Sequence, residues 1–225
     1  MTVREHAELR EAVVRCCRRL WERGLIAGPD GNVSVRVAPE RILVTPTGIS
    51  KVDVTADALV EMTLDGVVCG EGRPSSEVQL HLRAYRARAD VHAVVHAHPP
   101  TATGFAVAGE ELTRPVLPEL ILQVGSVPLI PYETPGSVAL ADRCAAAFAL
   151  HDAVLLANHG AVTLGATLEV AHQRMESVEH VARILLAARA LGRVTELTPA
   201  EVAALVALRL GAPVDRDAEL PRRKR

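Results

Sequence analysis

Aromatic side chains are scarce in this sequence, which has one tryptophan, two tyrosines and two phenylalanines among 225 residues. Hydrophobic residues nevertheless make up 49% of the chain, enough for a buried core that must consist mainly of alanine, valine and leucine. No change in composition marks a linker, so we expect a single domain over residues 1–225. Its core is expected over about residues 5–210, followed by a flexible basic tail over residues 211–225.

Cysteine is also rare, and its spacing excludes two common uses of this residue. The four cysteines form no CxxC pair, and the adjacent Cys16 and Cys17 cannot easily bridge each other. With neither a disulfide framework nor a secretory signal in the sequence, a reducing cytoplasm is the expected location. Long apolar runs are missing too, so we expect no membrane span. A formal net charge of −2 argues against a dedicated nucleic-acid binder.

Hydrophobic periodicity predicts helices that alternate with short strands. Helices are predicted over about residues 4–23, 75–89, 102–107, 137–150, 167–191 and 198–210. Strands are predicted over about residues 32–36, 41–44, 59–64, 67–69, 91–97, 127–130, 153–157 and 161–164. Strands interleaved with helices on this scale indicate an α/β fold with a central sheet covered by helices.

Three histidines carry the strongest chemical signal. His96 and His98 lie in Val-His-Ala-His-Pro-Pro, and His159 lies in Ala-Asn-His-Gly. Because residues i and i+2 of a strand point to the same face, His96 and His98 can present two imidazoles to one point. A third imidazole from a second strand end would complete a three-histidine site with an open position, as catalytic zinc requires. Manganese or cobalt would also fit three imidazoles, whereas two unpartnered core histidines side by side would be costly to bury.

Three turns carry groups suited to an anion. Asn32 follows Gly31, Thr47-Gly48 offers a hydroxyl and a glycine amide, and Ser75-Ser76 lies at the N-terminus of a predicted helix. Exposed N–H groups in tight turns and at helix N-termini attract anions. Each turn alone is ordinary turn or cap chemistry, but together they predict a phosphate site of neutral donors.

Glu77 follows these serines, in the predicted first turn of the helix. A carboxylate there is favourable for the helix dipole, which is its ordinary interpretation. Between a phosphate site and a metal site it would also suit proton abstraction next to a metal-bound carbonyl. His81 lies one helical turn later, so the two side chains could hydrogen-bond, and we interpret His81 as a supporting or packing residue.

Five motifs occur in an order and spacing that resemble those of one protein family. They are Asn32 in Gly-Asn-Val-Ser, Thr47-Gly48 in Thr-Pro-Thr-Gly, Ser75-Ser76-Glu77, His96-Ala-His98 and His159-Gly160. The chain resembles the class II aldolase/adducin-head family, most closely its fuculose-phosphate-aldolase-like branch. This resemblance implies a three-layer α/β/α domain around a central, largely antiparallel sheet. It also implies a homotetramer with active sites at subunit interfaces.

The resemblance assigns roles to individual residues. It makes His96, His98 and His159 zinc ligands. It makes Asn32, Thr47, Gly48, Ser75 and Ser76 the residues that bind substrate phosphate. It makes Glu77 the acid/base, for which desolvation would need to raise the carboxyl pKa.

The implied reaction is the reversible cleavage of a ketose 1-phosphate to dihydroxyacetone phosphate and an aldehyde, with the metal as Lewis acid. Fuculose-phosphate aldolases use a tyrosine of the neighbouring subunit as the acid near the aldehyde oxygen. Here only Tyr85 and Tyr132 occur, and neither falls where that tyrosine should lie, near Leu117 to Glu119. Glu119 is the nearest proton-carrying group and is our candidate for the acid, or for a contact to substrate hydroxyls; a surface carboxylate is the alternative.

Other reactions remain open within the same fold. The related pentulose-phosphate 4-epimerases carry aspartate where Glu77 stands, which favours an aldolase over an epimerase. A sugar-phosphate dehydratase and a sugar-acid-phosphate decarboxylase would both keep three metal histidines and a similar base. The missing tyrosine favours a substrate other than fuculose phosphate, such as a deoxypentulose phosphate. The adducin head is a non-enzymatic interaction module, but the three histidines present here argue against that role.

Overall fold

The computed structural model describes residues 3–212, and apart from Gly211 and Ala212 the predicted basic tail lies outside the described residues. The helices are α1 (Val3–Glu22), α2 (Val78–Ala87), α3 (Pro100–Val107), α4 (Val138–Phe148), α5 (Leu168–Ala190) and α6 (Pro199–Arg209). The strands are β1 (Asn32–Ala38), β2 (Arg41–Val44), β3 (Val60–Thr63), β4 (Ala93–Ala97), β5 (Leu129–Ile130), β6 (Ala153–Leu156) and β7 (Gly160–Gly165). A 3-10 turn at Lys51–Asp53 and a π-helical turn at Leu120–Val124 complete the regular structure of this part of the chain.

The strands form one seven-stranded sheet in the order β3-β2-β1-β4-β7-β6-β5. Neighbouring strands are antiparallel, except that β5 and β6 are parallel. Within residues 3–212, no helix combines the length and apolar character that a bilayer crossing requires.

Helices cover both faces of the sheet. One apolar cluster joins one face of the sheet to α1, α3 and α5, and a second joins the opposite face to α2 and α4. Alternation along the strands explains this division: in β4, Ala93 and Val95 belong to the first cluster, whereas Val94 between them belongs to the second. The predicted three-layer α/β/α fold around a largely antiparallel sheet is therefore confirmed.

The structure corrects two details of the sequence prediction. The predicted strand over residues 67–69 is reduced to one isolated bridge between Val68 and Met62. Helix α2 begins at Val78, so Ser75 and Ser76 lie before it and Glu77 occupies its N-cap position instead of its first turn. The Glu77 side chain makes no capping hydrogen bond. Its carboxylate is therefore available to the residues that surround it in the cavity described below.

Candidate metal centre and active-site cavity

Two neighbouring strands bring the three histidines together. His96 lies in β4, His98 follows the end of this strand, and His159 directly precedes β7, which pairs with β4. Asn158 adopts a left-handed conformation (φ 56°) in the turn before His159, a conformation that asparagine tolerates better than most residues. The donor nitrogens of the three histidines all lie within 4.8 Å of one another.

The hydrogen bonding of the imidazoles fits a metal cation. Nδ1 of His96 lies 2.9 Å from the carbonyl oxygen of Ala161, which can only accept, so this ring carries its proton on Nδ1. In the neutral ring, the form that binds a metal, the lone pair of Nε2 would point into the cluster, where this nitrogen lies 3.2 Å from Nε2 of His98. Two nitrogens bound to tetrahedral zinc would be about 3.3 Å apart, so the observed separation suits a shared metal. Nδ1 of His98 faces the carboxylate of Asp30 at 3.5 Å, as outer partners of metal-binding histidines commonly do.

Glu77 lies against this cluster. Its Oε2 is 3.2 Å from Nε2 of His96, and its Oε1 is 3.3 Å from Nε2 of His159. Burial raises the pKa of Glu77, but His96, His159 and the Asn32 amide outweigh burial and hold this pKa below the usual carboxyl range. Desolvation therefore acts on the pKa of Glu77 in the direction expected from the sequence, but these polar neighbours outweigh it. Burial lowers the pKa of His159, with a further contribution from His96, to about 4.

The predicted phosphate-binding turns also meet. Pro46 and Pro74 form an antiparallel bridge, flanked by a hydrogen bond from Thr47 N–H to the Arg73 carbonyl and one from Ser75 N–H to the Thr45 carbonyl. Gly48 has a φ of +74°, in the left-handed region that favours glycine, and nothing lies within 4 Å of where its β-carbon would be.

These turns and the histidines line one cavity of about 340 Å³. The predicted site residues in its wall are Asn32, Thr47, Gly48, Ser75, Ser76, Glu77, His98 and His159. His96 is fully buried behind the wall. Glu119 lies elsewhere: it is exposed and lines a separate cavity of about 1000 Å³ beside α5. Within one chain, the structure therefore brings together every predicted site residue except Glu119.

Comparison with known proteins agrees with this geometry. The family described as Class II Aldolase and Adducin N-terminal domain matches residues 11–186. The chain belongs to this family. The 3-oxo-tetronate 4-phosphate decarboxylase of Escherichia coli strain K12 is 34% identical over 181 residues, which cover 79% of the present chain and 85% of the relative.

Other class II aldolase relatives carry different names. The 5-deoxy-D-ribulose 1-phosphate aldolase of Bacillus thuringiensis is 35% identical over 186 residues, covering 81% of the present chain and 86% of the relative. The crystal structure of Escherichia coli YgbL, described as a candidate aldolase, epimerase or decarboxylase, superposes with a TM-score of 0.85. It is 32% identical and covers 89% of this chain and 99% of that one. The relatives are thus enzymes, and two reaction types occur at nearly the same identity.

One residue in the wall of the cavity, Lys51, escaped the sequence analysis. Lys51 is 2% exposed and lines the cavity, and its Nζ donates to the carbonyl oxygens of Pro29 (2.8 Å) and Ile49 (3.1 Å). The site that we predicted to bind phosphate through neutral donors therefore also contains a cationic side chain. The only signal in the sequence was that Lys51 follows the Thr47-Gly48 turn closely. His81 was interpreted as a supporting or packing residue that could hydrogen-bond to Glu77; its Nε2 lies 2.5 Å from Oδ1 of Asn32 instead.

Proposed function

We propose that this protein is a metal-dependent class II aldolase. It would cleave a ketose 1-phosphate reversibly to dihydroxyacetone phosphate and an aldehyde. The observation that carries the proposal is the position of Glu77, which contacts His96 and His159 within the cavity lined by the turns that we expect to bind phosphate. A ketone bound between these groups would have its α-carbon next to a carboxylate, as proton transfer requires.

His96, His98 and His159 are the residues that would hold the metal. Zinc is our first choice because three imidazoles with an open position are typical of its catalytic sites, and manganese or cobalt suit the same ligands. The metal would supply Lewis-acid stabilisation of negative charge on the substrate oxygens.

Glu77 would carry the proton. In the condensation direction the C–H bond next to the ketone breaks, the proton goes to the carboxylate, and the electron pair remains on the substrate as an enediolate. In the cleavage direction Glu77 returns this proton. Glu77 would act as the base in its ionised form, because its two carboxylate oxygens lie 3.2 and 3.3 Å from Nε2 of His96 and Nε2 of His159, next to the site where the ketone would bind.

Substrate phosphate would lie against the paired turns. Ser75 and Ser76 supply hydroxyls, and Thr47 and Gly48 supply a hydroxyl and backbone donors. Asn32 uses one N–H of its amide for Glu77 and has a second one for the substrate.

The acid for the aldehyde oxygen would come from a second copy of the chain. Glu119 lies outside the cavity of its own chain, so it can serve only if an assembly such as the proposed homotetramer places it in a neighbour's site. A Glu119→Gln variant that keeps wild-type turnover would remove this residue from the mechanism.

A decarboxylase is the second candidate, and it is favoured by the positions of the two tyrosines, which lie outside the cavity. Tyr85 is buried and bonded to Ser34, Tyr132 is 57% exposed, and among residues 3–212 no tyrosine lines the cavity. Loss of carbon dioxide from a 3-oxo acid phosphate would leave the same enediolate, and the departing carboxylate becomes carbon dioxide without exchanging a proton with the protein. The similarity to 3-oxo-tetronate 4-phosphate decarboxylases supports this candidate.

Proton exchange tests the step that both reactions share, which is proton transfer between Glu77 and the substrate carbon next to the ketone. Zinc-loaded protein is incubated with dihydroxyacetone phosphate in deuterated water and followed by NMR, with Glu77→Gln as the control for contaminating isomerase. Exchange that disappears in Glu77→Gln supports the proposal, whereas a folded, metal-loaded protein without exchange contradicts it. Carbon dioxide release from 3-oxo-tetronate 4-phosphate, compared with aldehyde release from ketose 1-phosphates, then separates the two candidates.

A further inference from the structure

A row of buried hydrogen bonds runs from the interior of the sheet to Glu77. Its members, here called the buried network, are Tyr85, Ser34, His81 and Asn32. The Tyr85 hydroxyl lies 2.8 Å from Oγ of Ser34, which lies 2.5 Å from Nδ1 of His81. Nε2 of His81 lies 2.5 Å from Oδ1 of Asn32, whose Nδ2 donates to Oε2 of Glu77 at 3.0 Å.

The direction of every hydrogen bond follows from the carboxylate. An ionised Glu77 can only accept, so the amide nitrogen of Asn32 must face it and Oδ1 must face His81. His81 must then donate from Nε2 and accept at Nδ1 from the Ser34 hydroxyl. Ser34 has one proton to give, so it accepts from Tyr85. All four donors therefore point toward Glu77, and hydrogen bonds aligned in this way strengthen one another.

The network fixes one carboxylate oxygen and not the other. Oε2 of Glu77 accepts from Asn32, whereas Oε1 is buried without a hydrogen-bond partner, 3.3 Å from Nε2 of His159. We propose that the buried network positions Glu77, so that Oε2 stays bound and Oε1 carries the transferred proton. This inference rests on the proposed role of Glu77 as the acid/base.

The surroundings keep the direction of the network constant. Asn32, Ser34, His81 and Tyr85 are each 2% exposed or less. Burial lowers the pKa of His81 to about 3 and raises that of Tyr85, so both stay neutral at physiological pH. Strand register contributes too, because Asn32 pairs directly with His96 across β1 and β4.

The first test replaces His81 in two ways. His81→Gln keeps a donor and an acceptor, whereas His81→Phe keeps a ring of similar size and removes both. We expect His81→Phe to slow the deuterium exchange of dihydroxyacetone phosphate by about 100-fold with a much smaller change in KM, because a misplaced base affects the transition state most. His81→Gln should stay within about fivefold of wild type, since its neutral hydrogen bonds are retained. Equal losses in both variants, with equal unfolding midpoints, would overturn the proposal.

The second test replaces the two members of the buried network that lie farther from Glu77 than His81 does. Tyr85→Phe leaves the Ser34 donor in place and should slow exchange less than Ser34→Ala, which removes the donor to Nδ1 of His81. Both should slow exchange less than His81→Phe. Exchange rates that follow the loss of unfolding free energy instead of this order would assign the network a purely structural role.

The third test does not depend on activity. In ¹⁵N NMR spectra of zinc-loaded protein, with His81 assigned from the His81→Gln spectrum, Nε2 should be protonated and Nδ1 unprotonated between about pH 5 and 8. A proton on Nδ1 would reverse the network and overturn the proposal. If wild-type protein shows this tautomer but no exchange, the proposed function fails while the direction of the network stands.

Discussion

Gly160 packs so closely against His98 that a β-carbon at residue 160 would lie 2.6 Å from Cδ2 of the imidazole. The same β-carbon would lie 2.5 Å from the carbonyl oxygen of Ala97. Gly160, which follows the proposed metal ligand His159, therefore limits the position of a second proposed ligand, His98. Glycine is required here for close approach of two strands and not for an unusual φ.

We predict that Gly160→Ala weakens metal binding by about 10–100-fold, the range found when groups that orient ligands are changed. Chelator competition measures the affinity. Gly104→Ala is the matched control, because nothing lies within 4 Å of a β-carbon at this position in α3. The control should bind metal normally and gain about 0.4–1 kcal/mol of stability. Wild-type affinity in Gly160→Ala would show that His98 is not a ligand.

Glu179 supports the segment that follows His98. Its Oε2 accepts the backbone N–H groups of Thr101 and Ala102, each at 2.9 Å, at the start of α3, and its Oε1 accepts from Arg183. Glu179→Ala leaves two N–H groups without this acceptor, so we expect a loss of about 1–3 kcal/mol in unfolding free energy, measured in urea. Glu179→Gln keeps one acceptor oxygen and should lose less.

A control for this prediction lies on the same helix. Glu169 pairs with Arg19 at the surface, with 55% of its side chain exposed, so Glu169→Gln should cost less than about 1 kcal/mol. Equal losses of unfolding free energy for the changes at Glu169 and Glu179 would contradict the role of buried Glu179 as the acceptor for the first N–H groups of α3.

Sequence patterns predicted the features of this protein that depend on local spacing. The histidine pair follows from strand alternation, and α6 begins with a capping box of Thr198 and Glu201, whose spacing of three residues is local as well. The features missed depend on register between distant segments. His81 reaches Asn32 only because α2 packs over β1, and Glu179 reaches Thr101 across 78 residues of sequence.

The start of α2 was misplaced for a similar reason. The serines at 75 and 76 look like helix caps, but Ser75 N–H is engaged by the Thr45 carbonyl of the neighbouring turn. This tertiary contact holds Ser75 outside the helix, a turn follows at residues 76 and 77, and α2 begins only at Val78. Local propensity was therefore overridden by the pairing that builds the proposed phosphate site.

His172 should make stability depend on pH. It is 1% exposed on α5, and neither ring nitrogen has a hydrogen-bond partner. Burial, together with Arg19, lowers its pKa despite Glu176, whose Oε2 lies 3.5 Å from Nδ1. The unfolded state, with a pKa of about 6.5, therefore binds the proton first. The stability that depends on neutral His172 is present above about pH 6.5 and is lost as the pH falls below it.

We predict that His172→Phe flattens the decline of unfolding free energy between about pH 6.5 and 5, measured by urea titrations at each pH. His180→Gln is the matched control, because His180 lies on the same helix and is exposed. It should keep the wild-type slope. A slope that is unchanged in His172→Phe would mean that this imidazole does not govern the acid sensitivity.

Lys51 should contribute charge to phosphate binding. Its ammonium is held by the Pro29 and Ile49 carbonyl oxygens in the wall of the cavity, where the turns supply neutral donors. Lys51→Met removes this charge, and we expect the KM for a phosphorylated substrate and the Kd for inorganic phosphate to rise about tenfold or more. The variant should also be less stable, because it leaves two carbonyl oxygens without their donor.

Unphosphorylated dihydroxyacetone separates the two effects of Lys51→Met. If the lysine acts on the phosphate, deuterium exchange of dihydroxyacetone should change much less than that of its phosphate ester, under conditions where unfolding curves show the variant to be folded. If Lys51 only joins the two turns, the exchange of both compounds should fall by the same factor. Inorganic phosphate binding with wild-type affinity would likewise assign Lys51 to the structure of the turns and leave phosphate recognition to the neutral donors.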